Sequence, residues 1–256
     1  MLIHLSDAHC HVSAHELDDF DSAISSADVC LCACFSKDWA GLKNYAQGSF
    51  KKAFGIHPNL QISPLDDASA VEKRAKKILL PELEEYLISA DVLGEIGLDA
   101  RMKERVPQAL QEFLFTAQLK LAHKYSLPVV LHCVNEWGKM LEIMSARAKE
   151  IVLNGGSVDS PEGRFLIHGT SCSAEVAMEF ARIGGYFSFG IRELLSKKGM
   201  HTAEIVPADR LLIESDSTAT YSTLEETAIA LAKIRGVSAE DICELTYVNF
   251  HKFFDR

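Results

Sequence analysis

The chain has no apolar run approaching the ~18 consecutive residues a membrane-spanning helix requires, and no basic N-terminal stretch leads into a long apolar segment, as a secretory leader would. None of its seven cysteines forms a C-x-x-C pair, and the count is odd, which argues against a disulfide framework and for a reducing, cytoplasmic setting. No G-x-G-x-x-G follows the first apolar run, so a dinucleotide-binding open sheet is disfavoured. A basic face is missing too. The densest cationic clusters, Lys51-Lys52 and Arg74-Ala75-Lys76-Lys77, are short and read as solvated faces, and the formal net charge is -10. That balance opposes a strong nonspecific grip on duplex nucleic acid. A phosphate-bearing substrate stays open, since bound divalent cations reverse the local field. Linkers, low-complexity tracts and internal repeats are also lacking.

What is present is a soluble globular composition, 48% hydrophobic and 24% charged, over 256 residues. Eight short apolar runs recur: Leu2–Leu5, Val29–Phe35, Ala53–His57, Val92–Gly97, Val129–His132, Phe165–His168, Tyr186–Phe189 and Leu211–Glu214. Helical periodicity fills the longer gaps, notably Pro107–Tyr125, Trp137–Ala148, Ala174–Ile183 and Leu224–Ile234. A closing helix, Ser238–Phe254, opens on a Ser-x-x-Asp cap. Strand and helix alternating in this way imply parallel βαβ units. The expected fold is α/β, a (β/α)8 TIM barrel forming one domain over residues 1–256. Cys30, Cys32 and Cys34 alternate along one strand and read as small buried hydrophobes.

In such a barrel, functional groups sit at the C-terminal ends of the strands. His9 and His11, two apart at the end of the first apolar run, face one point, with Cys10 turned away between them. Asp7 precedes them. His57 ends the third run, Glu95 and Asp99 lie in and after the fourth, and His132 and His168 end the fifth and sixth. Glu214 and Asp216 end the eighth. Taken singly, each has an ordinary explanation: a hydrogen-bonded packing histidine, a paired buried carboxylate, a helix cap. Together, His9, His11, Glu95, His132, His168 and Asp216 at one rim without a cation would be costly. A metal centre satisfies all of them. Nitrogen and oxygen donors without thiolate suit Zn, Mn, Fe, Ni or Co, and Mg less well. Six protein ligands exceed what one catalytic ion uses, so two divalent metal ions are expected, with Glu95 the natural bridge.

These stretches, Ser6-Asp7-Ala8-His9-Cys10-His11, Gly55-Ile56-His57-Pro58, Gly94-Glu95-Ile96-Gly97-Leu98-Asp99, Leu131-His132-Cys133, Leu166-Ile167-His168-Gly169 and Leu212-Ile213-Glu214-Ser215-Asp216-Ser217, resemble the TatD family of metal-dependent deoxyribonucleases. The terminal Leu245–Phe254 resembles that family's closing helix. The resemblance spans essentially the whole chain. It implies a TIM barrel of the amidohydrolase-like group that hydrolyses DNA phosphodiesters, often as an exonuclease. By motif position His9, His11 and Asp216 would hold one metal, His132 and His168 the other, and Glu95 would bridge. Glu95, Asp216 and His57 would act in catalysis, Asp216 on the water and His57 near the substrate phosphate. Two departures bear on substrate. The run after His132 is Cys133-Val134-Asn135-Glu136, where family members commonly carry an Arg, and Asp216-Ser217-Thr218-Ala219-Thr220-Tyr221 leads almost directly into a helix, without the Arg-Asn-Glu-Pro loop. The alternatives are a metal-dependent ester or amide hydrolase, such as a deacylase of mischarged tRNA, and a non-catalytic subunit of a larger assembly. No membrane partner is expected.

Overall fold

The computed structural model describes residues 4–11, 27–33, 35–45, 50–60, 67–217 and 221–255. Eight strands lie in one sheet in sequence order: β1 (Ser6–His11), β2 (Asp28–Ala33), β3 (Lys51–Phe54), β4 (Val92–Asp99), β5 (Val129–Val134), β6 (Phe165–Ile167), β7 (Gly185–Phe189) and β8 (Leu211–Ile213). Each consecutive pair is parallel. The sheet comes back on itself where the Asp216 N–H, just past β8, donates to the His9 carbonyl of β1 at 3.1 Å. The result is the expected (β/α)8 barrel, nearly closed.

Seven of the eight runs mark their strands to within a few residues. The first does not. β1 is the polar Ser6–His11 segment itself, not Leu2–Leu5, whose first two residues lie outside the described residues, as do Cys34 and Thr218–Thr220. The apolar run misled because the first strand turns polar side chains inward, where burial is offset by hydrogen bonds rather than by apolar contact. The helix Ala68–Arg74, a π-helical turn Ala75–Leu79 and the helix Leu80–Leu87 were not read from periodicity, nor was Ser36–Asn44.

Two apolar layers hold the barrel. Inside, one cluster takes residues from every strand, among them Ala8, Cys30, Cys32, Ala53, Val92, Val130, Leu166, Tyr186 and Leu212, and adds Phe250, Phe253 and Phe254 from the closing helix Ala239–Phe254. That helix crosses the N-terminal ends of the strands. Lys51 of β3 pairs with Asp255 at 2.7 Å, His251 lies 3.2 Å from Asp28 of β2, and Arg164, just before β6, donates to the Lys252 and Asp255 carbonyls. Three phenylalanines therefore plug the end of the barrel opposite the mouth. Outside, the second cluster joins alternate strand residues to the surrounding helices. Alternation breaks twice: register shifts between Asp7 and Cys10 of β1, and between Leu93 and Ile96 of β4. Both shifts fall in the strands that carry His9, His11 and Glu95, consistent with the use of bulges to re-aim side chains beside functional sites.

Candidate metal centre

The shift in β1 leaves Ala8 in the interior layer and Cys10 in the outer one, so His9 and His11 share the mouth and Cys10 turns away as anticipated. Their Nε2 atoms are 3.3 Å apart. His9 Nδ1 lies 3.3 Å from Cys32 Sγ, which orients the ring. On β4, a Cβ at Gly97 would stand 2.0 Å from the His132 carbonyl oxygen. Only glycine lets β4 approach β5 this closely, and that approach brings Glu95 and His132 together.

Glu95, 1% exposed, is the hub. Its Oε2 lies 3.4 Å from His9 Nε2 and 3.6 Å from His11 Nε2. Its Oε1 lies 2.6 Å from both His132 Nδ1 and His168 Nε2, which are 3.3 Å from each other, and 3.5 Å from His57 Nε2. Asp216 Oδ1 stands 3.3 Å from His11 Nε2 and 3.8 Å from His9 Nε2. The seven residues expected from the sequence to hold metal or act in catalysis thus meet at one mouth. Their donor atoms form three overlapping groups, His9–His11–Glu95, His9–His168–Asp216 and His57–Glu95–His132, each spanning no more than 4.8 Å.

His57 differs from the other imidazoles. The Asn59 N–H donates to its Nδ1 at 2.9 Å. A neutral ring with Nδ1 accepting carries its hydrogen on Nε2, so His57 presents a donor to the mouth rather than a lone pair. The other carboxylates at the strand ends have structural partners. Asp7 Oδ1 accepts the His9 and Ser215 N–H groups at 3.2 and 3.0 Å. Glu214 accepts the Gly169 N–H at 2.6 Å and the Ser188 hydroxyl.

Asp99 was placed at a strand end without a role, and the residues that support it went unread. Asp99 Oδ2 lies 3.1 Å from His132 Nε2, and the carboxylate is held by Arg101 through Nη2 at 2.6 Å and Nε at 3.0 Å. Gln111 donates to the Asp99 carbonyl and accepts its N–H, and Gln118 does the same for Ile56, beside His57. Both glutamines are buried on the helix Gln108–Lys124, one heptad apart, a polar repeat inside an apolar stripe that periodicity could have flagged. Arg192 Nη2 reaches Asp216 Oδ2 at 3.2 Å while remaining 71% exposed.

Charge is strongly coupled here. Burial disfavours protonated His168 and His132, yet the Glu95 carboxylate, with Glu214 beside the first and Asp99 beside the second, outweighs it and raises both. Burial pushes Glu95 up, but His168, His57 and His132 hold it well below the usual carboxylate range. Asp216 behaves likewise: burial raises it, and His11, His168 and His9 more than reverse that. Burial and the neighbouring His168 push His9 down to about 4. Burial lifts Asp7 to about 7.

The donor set fits divalent ions. It offers imidazole nitrogens and carboxylate oxygens with no thiolate among them, and the buried His168 Nδ1 makes no hydrogen bond, lying 3.9 Å from Asp216 Oδ1 and 3.7 Å from Glu214 Oε1. Among the described residues, no helix is long and apolar enough to cross a membrane.

Comparison with known proteins agrees with this geometry. The family model described as TatD related DNase matches residues 6–255. Human deoxyribonuclease TATDN3 is 26% identical, over 98% of this chain and 95% of its own length. The uncharacterized metal-dependent hydrolase YcfH of Escherichia coli strain K12 is 24% identical, with the same coverage of 98% and 95%. The crystal structure of YJJV, a TatD homolog from Escherichia coli K12, superposes over the full length of both chains with a TM-score of 0.77 at 20% identity, which speaks to the fold. A family match across nearly the whole chain, on a barrel whose mouth gathers these donors, makes this protein a member of the TatD-related DNase family and a metal-dependent hydrolase.

Proposed function

We propose that this chain hydrolyses phosphodiester bonds of DNA, as an exonuclease, with two divalent ions. His9, His11 and Asp216 would hold one, His132 and His168 the other, and Glu95 would bridge them. The carrying observation is the division of labour within one carboxylate: Glu95 Oε2 faces His9 and His11, and Oε1 faces His132 and His168. Divalent ions in such a set supply Lewis-acid polarisation of the phosphoryl group and acidify water.

The remaining steps belong to side chains. Asp216, kept ionised by the surrounding imidazoles, orients the attacking water and accepts its proton. His57 donates from Nε2 to a phosphate oxygen or to the leaving oxygen, its ring held by the Asn59 N–H. Asp99 fixes the ring of His132 from the far side, the carboxylate–histidine arrangement common behind metal ligands. Arg192, single-contacted and exposed at the rim, supplies a cation for the substrate's phosphate. It does so in a chain that lacks both the Arg after His132 and the Arg-Asn-Glu-Pro loop.

The test follows mononucleotide release from 5′- and 3′-labelled single-stranded DNA, with Mn, Mg or Zn and with chelator, alongside an acyl-tRNA substrate. Metal-dependent release that disappears in Glu95→Ala and His132→Ala supports the reading. Full activity in either variant, or turnover of acyl-tRNA alone, overturns it.

A further inference from the structure

We propose a second binding site, for a small amphipathic anion, in the groove between the helices Gln108–Lys124 and Trp137–Leu153 on the barrel's outer wall. The groove encloses about 350 Å³ and is lined by apolar Leu119, Ile143 and Ile151 together with Lys120, His123 and Arg147. That volume lies within the range of small-molecule sites.

Arg147 defines the ligand's charge. It is 8% exposed, yet among the described residues it forms no ion pair with a carboxylate, and its Nε and Nη1 have no hydrogen-bond partner. Among the described residues its one side-chain hydrogen bond is donation from Nη2 to the Glu162 carbonyl. The other buried arginine, Arg164, and the half-buried Arg210 and Arg235 each leave only a single nitrogen unpartnered. A buried cation with no carboxylate in ion-pair contact is costly, and burial pushes this guanidinium down to about 10 against the weaker opposing pull of the Glu162 carboxylate. An anion in the groove relieves that cost where the dielectric is low. Lys120 adds positive charge at the edge, and of the two carboxylates in the lining, Glu142 is engaged by Lys139 at 2.7 Å.

The apolar wall fixes the rest of the ligand, which needs a hydrophobic or aromatic body beside its charge. Length argues against a docked helix. The wall contributed by the first helix runs only from Thr116 to His123, about 10 Å at ~1.5 Å per residue. The site lies on the barrel's outer wall and draws on none of the residues proposed to hold metal, so it stands or falls separately from the nuclease reading.

The probe is 8-anilinonaphthalene-1-sulfonate, titrated by fluorescence into the full-length protein, with displacement by octanoate and by phenyl phosphate to separate carboxylate from phosphate ligands. Saturable one-to-one binding is expected. Ala146→Trp, which fills the groove from an exposed position, and Lys120→Glu are each expected to weaken it at least tenfold with circular dichroism unchanged. Arg147→Met should lose binding while melting no lower than the native protein, because it removes a buried charge that has no direct ion pair. Non-saturable binding, equal affinity in Ala146→Trp, displacement by neither anion, or a dimer in solution that Ala146→Trp dissociates would each overturn the proposal.

Discussion

Asp99→Asn removes one charge and retains the side chain's shape, so it isolates what Asp99 does for His132. The native carboxylate lies 3.1 Å from His132 Nε2 and is itself gripped by Arg101 at 2.6 and 3.0 Å and by the Arg101 N–H at 2.8 Å. Hydrogen bonds to charged groups contribute roughly 1.5–3 kcal/mol. Loss of a partner behind a metal-ligating histidine typically costs about 10–100-fold in metal affinity or activity, or roughly 1.4–2.7 kcal/mol. The two routes agree. Chelator-competition titration with Mn or Zn should show one of two sites weakened by about that factor, and activity at saturating metal should largely return. Arg101→Met, which loosens Asp99 without discharging it, should fall between the variant and the native protein. Affinity and activity both within twofold of native would show that His132 needs no orientation from Asp99, and would undercut its assignment as a ligand.

Arg192→Ala should raise KM for an oligonucleotide by about two- to fivefold, the weight of an exposed charge contact, with metal affinity unaltered; an unchanged KM would remove Arg192 from the substrate path. Phe253→Ala should cost about 3–5 kcal/mol in urea unfolding, since it opens a cavity in the barrel plug, and a loss under about 1 kcal/mol would mean the plug is dispensable. Alkylation should spare Cys10, Cys30, Cys32, Cys133, Cys172 and Cys243 in the native state, all of them buried, with burial lifting Cys172 to about 12 and Cys243 to about 11; rapid modification of any of these would contradict the packing. Saturating metal at ~100 times its Kd should add about 2.7 kcal/mol of stability, a rise of roughly 5–10 °C in Tm that chelator reverses.

The barrel was legible because parallel strands buried on both faces write themselves as apolar runs, and the mouth was legible because its donors sit at the ends of those runs. The reading failed where a strand abandons that rule. β1 is polar along most of its length, so the neighbouring apolar Leu2–Leu5 drew attention from it. The helical stretch Ala68–Leu87 was hidden by a π-turn that shifts its period and by Pro81 at the start of its second half. Residues whose role depends on a distant partner were out of reach. Gln118 serves Ile56, 62 positions away, and no local pattern announces that pairing. Nothing local distinguishes Arg147 from Arg192, and only packing separates the buried one from the exposed one. The register shifts in β1 and β4 are likewise products of pairing.

The seam between the first and last strands gives the mouth a second character. His9 and Asp216 share it by side chain, and the same two residues join the strands by backbone; nearby, Ser215 N–H reaches Asp7 across 208 positions. An ion held by both sides would act as a clasp on contacts of very high sequence separation, where the entropy of loop closure is greatest. Fraying of the first strand would then dismantle the centre while most secondary structure persists. Hydrogen exchange at the amides of His9, Ser215 and Asp216 would record that opening, slowed when metal is bound and quickened when it is withdrawn.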